Sequence, residues 1–248
     1  MREFLHNAAI IAKRELAGYF ATPLAAVFLT IFVALTGAFA FFIGGFFMRG
    51  QANLDAFFVY HPWLYLLLVP AVAMRLWAEE RKSGTIELLM TLPISPAEAI
   101  VGKFAAAWAF IGLALILTFP MWITVNILGS PDNGVILASY IGSFLVAGAF
   151  LAIGAFISAL TKNQVIAFIL SATACFLLVT SGMEIVQNVF RSWTPRVVSD
   201  AVSSISVLTH YDEITRGVVS LSALVFFVSI IAFFLFANAV AVARKKSA

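Results

Sequence analysis

The sequence predicts an all-α integral membrane fold, with six transmembrane helices in one domain that spans residues 1–248. Of these residues, 62% are hydrophobic and 11% are charged, and the mean hydropathy is +1.04. Soluble domains contain about 45–50% apolar and about 25% charged residues, so a buried core does not account for this composition. The few charged residues also cluster between long apolar segments, as is typical of a multi-pass membrane protein.

Six apolar segments have about the length of a bilayer crossing, which needs roughly 20 residues. Ala38-Phe39-Ala40 in the first segment resembles a signal-peptide cleavage site, but the apolar run is too long and continues past it, so we interpret it as a retained span. The six predicted spans are residues 24–47, 57–74, 104–128, 135–160, 165–182 and 221–242.

The lysines and arginines between the spans predict the orientation. With both termini inside, the inner segments hold eleven of these residues and the outer segments hold four. The positive-inside rule then predicts that both termini are cytoplasmic.

No Asp, Glu, Lys or Arg lies within the six apolar segments. Ion-coupled carriers usually need such groups within the membrane, so this class is disfavoured. A carrier that binds ions through backbone carbonyls at broken helices stays open. The single cysteine, Cys175, and the lack of metal-ligand spacing predict no disulfide, no metal site and no directly bound cofactor.

The first 20 residues predict an amphipathic helix that lies in the membrane interface and leads into the first span at Thr22-Pro23. Lys13 and Arg14 are on its polar side, together with His6 and Asn7. Ile10 and Glu15 do not fit the pattern. The predicted apolar side contains Phe4, Leu5, Ala8, Ile11, Ala12, Leu16, Tyr19 and Phe20.

A charged insert separates the second and third spans: seven of the 27 residues from 77 to 103 carry charge. Ser95, Pro96 and Glu98 form a capping-box pattern with proline at the first helical position, so the third helix begins near Pro96. A helix from there to Leu128 would be about 50 Å long, against a hydrocarbon layer of about 30 Å. About two turns therefore stand out on the cytoplasmic side, and Pro120 is a predicted kink.

Upstream in this insert, residues 84–92 predict a short helix that follows Gly84 and ends at Pro93. Its apolar face has the i, i+3, i+4 spacing of Ile86, Leu89 and Met90, which favours docking to another protein. An interfacial helix on lipid headgroups is the alternative.

Small residues recur four apart in the fourth span, as Ser139, Ser143 and Ala147 and again as Gly154 and Ser158. Such stripes let helices approach closely in lipid, which fits either an intramolecular contact or a dimer seam.

The outer segment, residues 183–220, mixes four acidic residues and three arginines with short semi-apolar stretches. Thr194-Pro195 predicts a helix start, and Gly217 predicts the end of a short helix from Thr209. His210 and Ser181 do not indicate a catalytic dyad, because nothing nearby resembles a nucleophile loop or an oxyanion hole. We interpret His210 as a packing or hydrogen-bonding residue.

The stretch "EERKSGTIELLMTLPISPAEAIVGK" resembles the first cytoplasmic loop of ABC-2-type transporter permeases. "KRELAGYFATPLAAVFL" and "LTHYDEITRGVV" are similar to segments of the gliding-motility permease subgroup. The three stretches occur in the expected order, so the resemblance covers the whole chain.

This resemblance implies a permease subunit of an ATP-driven exporter in the bacterial inner membrane, paired with a second identical or different permease. A separate ABC ATPase, which carries the ATP and Mg²⁺, would bind the cytoplasmic loop, and the outer segment would form re-entrant helices that gate the exit. Membrane lipids are expected as further partners, and nucleic acid is not.

Carried onto this sequence, the resemblance assigns four groups of residues. Those of the interfacial helix would be Lys13, Arg14, Glu15, Tyr19 and Pro23. The ATPase-coupling residues would be Glu79, Glu80, Arg81, Gly84, Thr85, Ile86, Glu87 and Leu89. The residues that shape the coupling loop would be Pro93, Ser95, Pro96, Glu98, Gly102 and Lys103. The outer-gate residues would be Thr209, His210, Tyr211, Arg216 and Gly217.

The chain itself is not predicted to hydrolyse ATP. Gly102-Lys103 is its one Gly-Lys pair, but the first glycine of a phosphate-binding loop is replaced by Ala97 and its Ser or Thr by Phe104. The 25 phenylalanines and the uncharged spans favour a lipid-like, amphiphilic or polymeric passenger over a free ion. Phenylalanines that simply face lipid are the alternative explanation. Two other functions stay open: a non-transporting anchor that recruits a cytoplasmic partner, and an ion-coupled secondary carrier.

Overall fold

A computed structural model describes residues 2–85, 94–193 and 204–243, and these are folded almost entirely as α-helices. The helices, in chain order, are α1 (Arg2–Phe20), α2 (Pro23–Ala38, continued by a π-helical turn at Phe39–Ile43), α3 (Asp55–Phe58), α4 (His61–Ala73), α5 (Arg75–Ser83), α6 (Pro96–Ile116), α7 (Phe119–Leu128), α8 (Asn133–Leu160), α9 (Gln164–Thr180), α10 (Glu184–Trp193), α11 (Val207–Thr215) and α12 (Leu221–Ala243).

Five helical stretches of the described chain are long and apolar enough to cross a membrane: Ala25–Ile43, Asp55–Ser83, Pro96–Leu128, Asn133–Leu160 and Leu221–Ala243. The predicted all-α membrane class is therefore confirmed. The predicted fifth span corresponds to α9, which has 17 residues. That is about 25 Å at roughly 1.5 Å per residue, short of a hydrocarbon layer of about 30 Å. The six-span count stays a prediction.

Two predicted spans end four or more residues from the ends of their helices, and a third span is interrupted. The first span was predicted to reach residue 47, but its helix ends at Ile43, because Gly44 and the left-handed Gly45 (φ +61°) follow. The second was predicted to end at residue 74, but helix continues to Ser83. The third is interrupted just before Phe119-Pro120, so the predicted irregularity at this proline is confirmed.

The central helix is α8, which packs against α4, α5, α6, α9, α11 and α12. The small residues of its stripe are all buried: Ser139, Ser143, Ala147, Gly154 and Ser158. Because they are covered by helices of the same chain, the structure favours the intramolecular alternative of the sequence prediction.

Ser158 closes the joint between α4 and α5. Its hydroxyl donates to the carbonyl oxygen of Met74 at 2.9 Å and accepts from the backbone N–H groups of Trp77 at 3.1 Å and Ala78 at 3.0 Å. These N–H groups belong to the first turn of α5, where donors commonly lack an intrahelical partner. One side chain of α8 thus fixes where the charged end of the second long helix begins.

We expect Ser158→Ala to lower the free energy of unfolding by about 2 kcal/mol, because it leaves buried backbone donors without their acceptor. The midpoint of thermal unfolding of the purified chain in detergent measures this loss. Ser222→Ala removes an exposed hydroxyl and is the matched control. Equal midpoints for the two variants would contradict the role of Ser158 at the joint.

Candidate functional site

Helix α1 lies along the first turns of α6. We call the end of the bundle where these two helices meet the N-terminal end. The buried residues Ala8 and Ile11 of α1 face Gly102, where an added Cβ would lie 2.8 Å from the Ala8 carbonyl oxygen and 2.8 Å from the Ile11 Cβ. Only glycine permits this approach. Leu5 and Phe20 are 61% and 51% exposed, so the predicted apolar side is divided between a helix contact and an open face.

Lys103 joins three helices through buried ion pairs. Its ammonium is 2.7 Å from a carboxylate oxygen of Glu80 on α5 and 3.1 Å from one of Glu15 on α1. It also lies 5.4 Å from the centroid of the Trp77 ring. The Lys103 side chain is 3% exposed and the two carboxylates about one-fifth exposed, so solvent screens this cluster little.

The start of α6 has the predicted capping box. The Ser95 N–H donates to Glu98 Oε2 at 2.7 Å, and the Glu98 N–H donates to Ser95 Oγ at 3.2 Å. Pro96 occupies the first helical position. The other oxygen of Glu98 accepts from the Asn7 side chain on α1 at 3.2 Å. The cap therefore also ties α6 to α1.

The end of α5 is exposed and charged. Gly84 stops the helix in a left-handed conformation with φ +75°, as predicted for the turn before Thr85. Glu79 is 51% exposed and pairs with Arg75 at 3.1 Å. We call Glu79 and residues 82–85 the α5 tip; Lys82, Ser83, Gly84 and Thr85 are all exposed.

Two predicted coupling residues point inward instead of lying on this tip. Glu80 pairs with Lys103, and the Arg81 guanidinium donates to the backbone carbonyl of Ala159 at the end of α8. They connect the tip to the bundle. Outside the described residues lie the remaining loop residues of the sequence prediction: Ile86, Glu87, Leu89 and Pro93. The short helix predicted over 84–92 lies outside them too, apart from its first two residues.

The arrangement can transmit a displacement. A partner that moves the α5 tip also pulls on α8 through Arg81, and on α6 and α1 through Glu80 and the Lys103 cluster. The sequence prediction placed Glu15 and Asn7 on the interfacial helix and did not assign either of them to this site. One signal was available: Glu15 is a charged exception in the amphipathic pattern of α1, and such an exception often has a buried partner.

At the opposite end, α11 begins at Val207, two residues before the predicted start, because the Ser206 hydroxyl caps the Thr209 N–H at 3.3 Å. Gly217 ends it with φ +86°, as predicted. The His210 ring stacks on Phe226 at 4.0 Å, and its Nδ1 is 2.9 Å from the Ser206 carbonyl oxygen. His210 therefore has a packing and hydrogen-bonding role here.

Helix α11 is anchored to the bundle by Tyr211, whose buried hydroxyl donates to the Phe58 carbonyl oxygen at 2.9 Å. Thr209 and Arg216, the other predicted gate residues, are exposed. Ser181 donates to the Leu178 carbonyl oxygen at 2.8 Å, with no recorded bond to His210 among the described residues. The helix start predicted at Thr194-Pro195 lies outside the described residues.

A sequence profile of the family described as ABC-2 family transporter protein matches residues 64–244, well over half of the chain. The match begins within α4 and contains the α5 tip, Glu80, Lys103 and α11. No curated protein sequence matches the chain. The gliding-motility subgroup stays a prediction. A profile match of this extent, on an all-helical membrane fold with a charged helix end between two spans, shows that the chain belongs to the ABC-2 family of transporter proteins.

Proposed function

We propose that this chain is the permease subunit of an ABC exporter in a bacterial inner membrane, and that a separate ABC ATPase drives it by docking at the α5 tip. As an ABC-2 family member, the chain is a transmembrane component of an ABC transporter, and this family usually works with an ABC ATPase. One observation carries the proposal: the second long helix ends in an exposed charged tip, and Glu80 and Arg81 beside that tip bond to α6 and α8, with Lys103 of α6 paired in turn to α1.

The α5 tip offers a docking partner both charged groups and hydroxyl groups. Glu79 is half exposed and Lys82 is exposed, while Ser83 Oγ lies 2.9 Å from Thr85 Oγ1 at the helix end. The chain leaves the tip at residue 86, so the segment 86–93, with the apolar side chains of the sequence prediction, follows directly. Docking would thus involve Glu79, Thr85 and that segment, with Gly84 setting the turn.

Nucleotide-driven movement of the tip would spread as a rigid-body shift. Packed helices resist continuous deformation, so small displacements at an interface move whole elements. In this proposal Arg81 passes the movement to α8, and the Lys103 cluster passes it to α1 and α6. Tyr211 links α11, the proposed gate, to Phe58 just before α4 in the same long helical stretch.

A second permease subunit is part of the proposal because much of the apolar surface of α2 and α12 is left uncovered. In each of these two helices, only 17% of the apolar 18-residue stretch that could cross the membrane is buried by the rest of the chain. Side chains such as Phe233 and Phe236 of α12 are 64% and 69% exposed. Lipid and a second copy or a related permease would share this surface.

We expect Thr85→Trp combined with Glu79→Arg to reduce co-purification of the ATPase from native membranes about tenfold, the effect of losing roughly 1.4 kcal/mol of binding free energy. Mass spectrometry identifies and quantifies a co-purifying protein with a phosphate-binding loop. Glu184→Arg, an exposed charge reversal in α10, is the control. Undiminished ATPase in the tip variant would contradict docking there, and no ATPase with the unaltered chain would favour the anchor or carrier alternatives.

A further inference from the structure

Two cavities adjoin each other near the N-terminal end of the bundle, beside α2 and α4, and they share Tyr19 and Arg75 as lining residues. One has a volume of about 260 Å³ and is otherwise lined by apolar side chains. The other has a volume of about 250 Å³ and includes the carboxylates of Glu15 and Glu79. Together they reach the volume of small-molecule sites, roughly 300–1,000 Å³.

The apolar cavity, which we call the tail groove, lies between α2 and α4 and opens to the side. Val27 and Leu67 on its two walls are 50% and 55% exposed, while Phe110 beneath them is buried. A helix with side chains is about 10–12 Å wide, too thick to enter a groove of this volume. A single hydrocarbon chain is thin enough to enter it.

The polar cavity, which we call the head pocket, carries both signs of charge. The Arg75 Nε donates to Glu79 at 3.1 Å, and no other hydrogen bond of Arg75 is recorded among the described residues. A guanidinium has five N–H donors, so four of those of Arg75 meet no acceptor within the described chain and can bind a ligand. One oxygen of Glu15 accepts from both Lys103 and Arg14, and its other oxygen has no hydrogen-bond partner in the described chain.

The charges select the head group. A phosphate would meet the free N–H groups of Arg75, with which it forms strong charge-assisted hydrogen bonds. Both carboxylates are already paired, Glu79 with Arg75 and Glu15 with Lys103 and Arg14, so the pocket has no excess of negative charge. A zwitterionic head keeps this balance, because its phosphate accepts from Arg75 and its ammonium donates to the open oxygens of Glu15 and Glu79, whereas a purely anionic head would add an uncompensated charge. Arg75 lies at the boundary of the two cavities, where a lipid phosphate sits between its acyl chains and its ammonium.

We infer that the tail groove and the head pocket form one binding site for a zwitterionic phospholipid with a primary ammonium head, such as phosphatidylethanolamine. One acyl chain lies in the tail groove, the phosphate contacts Arg75, and the ammonium contacts Glu15 and Glu79. The site goes beyond the proposed function and does not rest on it, because lipid binding at this site requires neither the ATPase nor a nucleotide.

Native mass spectrometry of the purified full chain tests this site, after delipidation and titration with phosphatidylethanolamine or phosphatidylglycerol of identical acyl chains. We expect phosphatidylethanolamine to bind about tenfold more tightly. Arg75→Ala should weaken its binding about tenfold, the effect of one lost charge-assisted hydrogen bond. Lys162→Ala, which removes an exposed cation between α8 and α9 that lines neither cavity, should leave binding unchanged.

Ala71→Phe fills the tail groove without changing any charge and should also weaken binding, whereas Ile169→Phe on exposed α9 surface should not. Each variant's thermal midpoint shows that it is folded. Equal binding of the two lipids, or unaltered binding in both Arg75→Ala and Ala71→Phe, would overturn the site. These outcomes are independent of ATPase co-purification, so failure of this inference is distinguishable from failure of the proposed function.

Discussion

Replacing Lys103 with alanine is expected to lower the free energy of unfolding by about 3–5 kcal/mol, the usual cost of removing one partner from a buried ion pair. The ammonium is the buried cation that pairs with both Glu80 and Glu15, and without it two carboxylates of like charge would lie close together with little access to water. A second oxygen of Glu80 is already buried without a hydrogen-bond partner in the described chain. The cluster therefore has little capacity to compensate for the loss.

Two measurements on the purified Lys103→Ala variant test this effect: its thermal unfolding midpoint in detergent and the free energy of unfolding from a denaturant titration in mixed micelles. Lys82→Ala removes an exposed lysine 21 residues earlier and controls for the change in net charge. The triple variant Lys103→Met, Glu80→Gln, Glu15→Gln removes all three charges and should recover most of the stability, because uncharged side chains need no counter-ion. A Lys103→Ala variant as stable as Lys82→Ala would contradict the structural importance of the cluster.

Local signals in the sequence were sufficient for the helix ends at this site. The capping box at Ser95, the stop at Gly84 and the break at Pro120 each depend on a few neighbouring residues, and the structure has all three. A helix end needs only its own caps and backbone geometry, so its position is readable without knowledge of the tertiary fold.

The direction of Glu80 and Arg81 was not readable in this way, because it depends on how far the second helix extends. Once the helix runs on to Ser83, Trp77, Glu80 and Arg81 fall at i, i+3 and i+4 and share the buried side. Glu79 is then left outside. Glu80 pairs with Lys103, 23 residues away in the chain, and Arg81 bonds to the Ala159 carbonyl, 78 residues away. Contacts between such distant residues cannot be predicted from sequence spacing.

The small-residue stripe of α8 shows the same limit. Its spacing predicted a close helix contact, which the structure has, but a spacing cannot say whether the facing helix belongs to the same chain. The answer comes from the surroundings of Gly154, where a Cβ would lie 2.4 Å from the Cβ of Ala73 on α4 and 3.6 Å from the Ser171 hydroxyl on α9. Both neighbours are in this chain, so the stripe packs the bundle.

We therefore expect Gly154→Ala to destabilise the chain by about 3 kcal/mol, the upper part of the range for overpacked cores. The added methyl group forces α4 and α8 apart, and α8 is the helix against which most others pack. Gly18→Ala is the matched control: it adds the same group to α1, where nothing lies within 4 Å. Since alanine is the better helix former by about 1 kcal/mol, this control should be neutral or slightly stabilising.

The packing is tested by the same Gly→Ala change at two positions, which should lower the stability at residue 154 but not at residue 18. Unfolding midpoints of both variants give the stabilities, and size-exclusion chromatography with light scattering gives the oligomeric state. Ala73→Gly in the Gly154→Ala background should restore part of the stability, because it removes the atom that the new methyl group meets. If Gly154→Ala instead left the stability of the chain unchanged and dissociated an oligomer, the stripe would be a seam between subunits, and its burial within one chain would not explain its sequence.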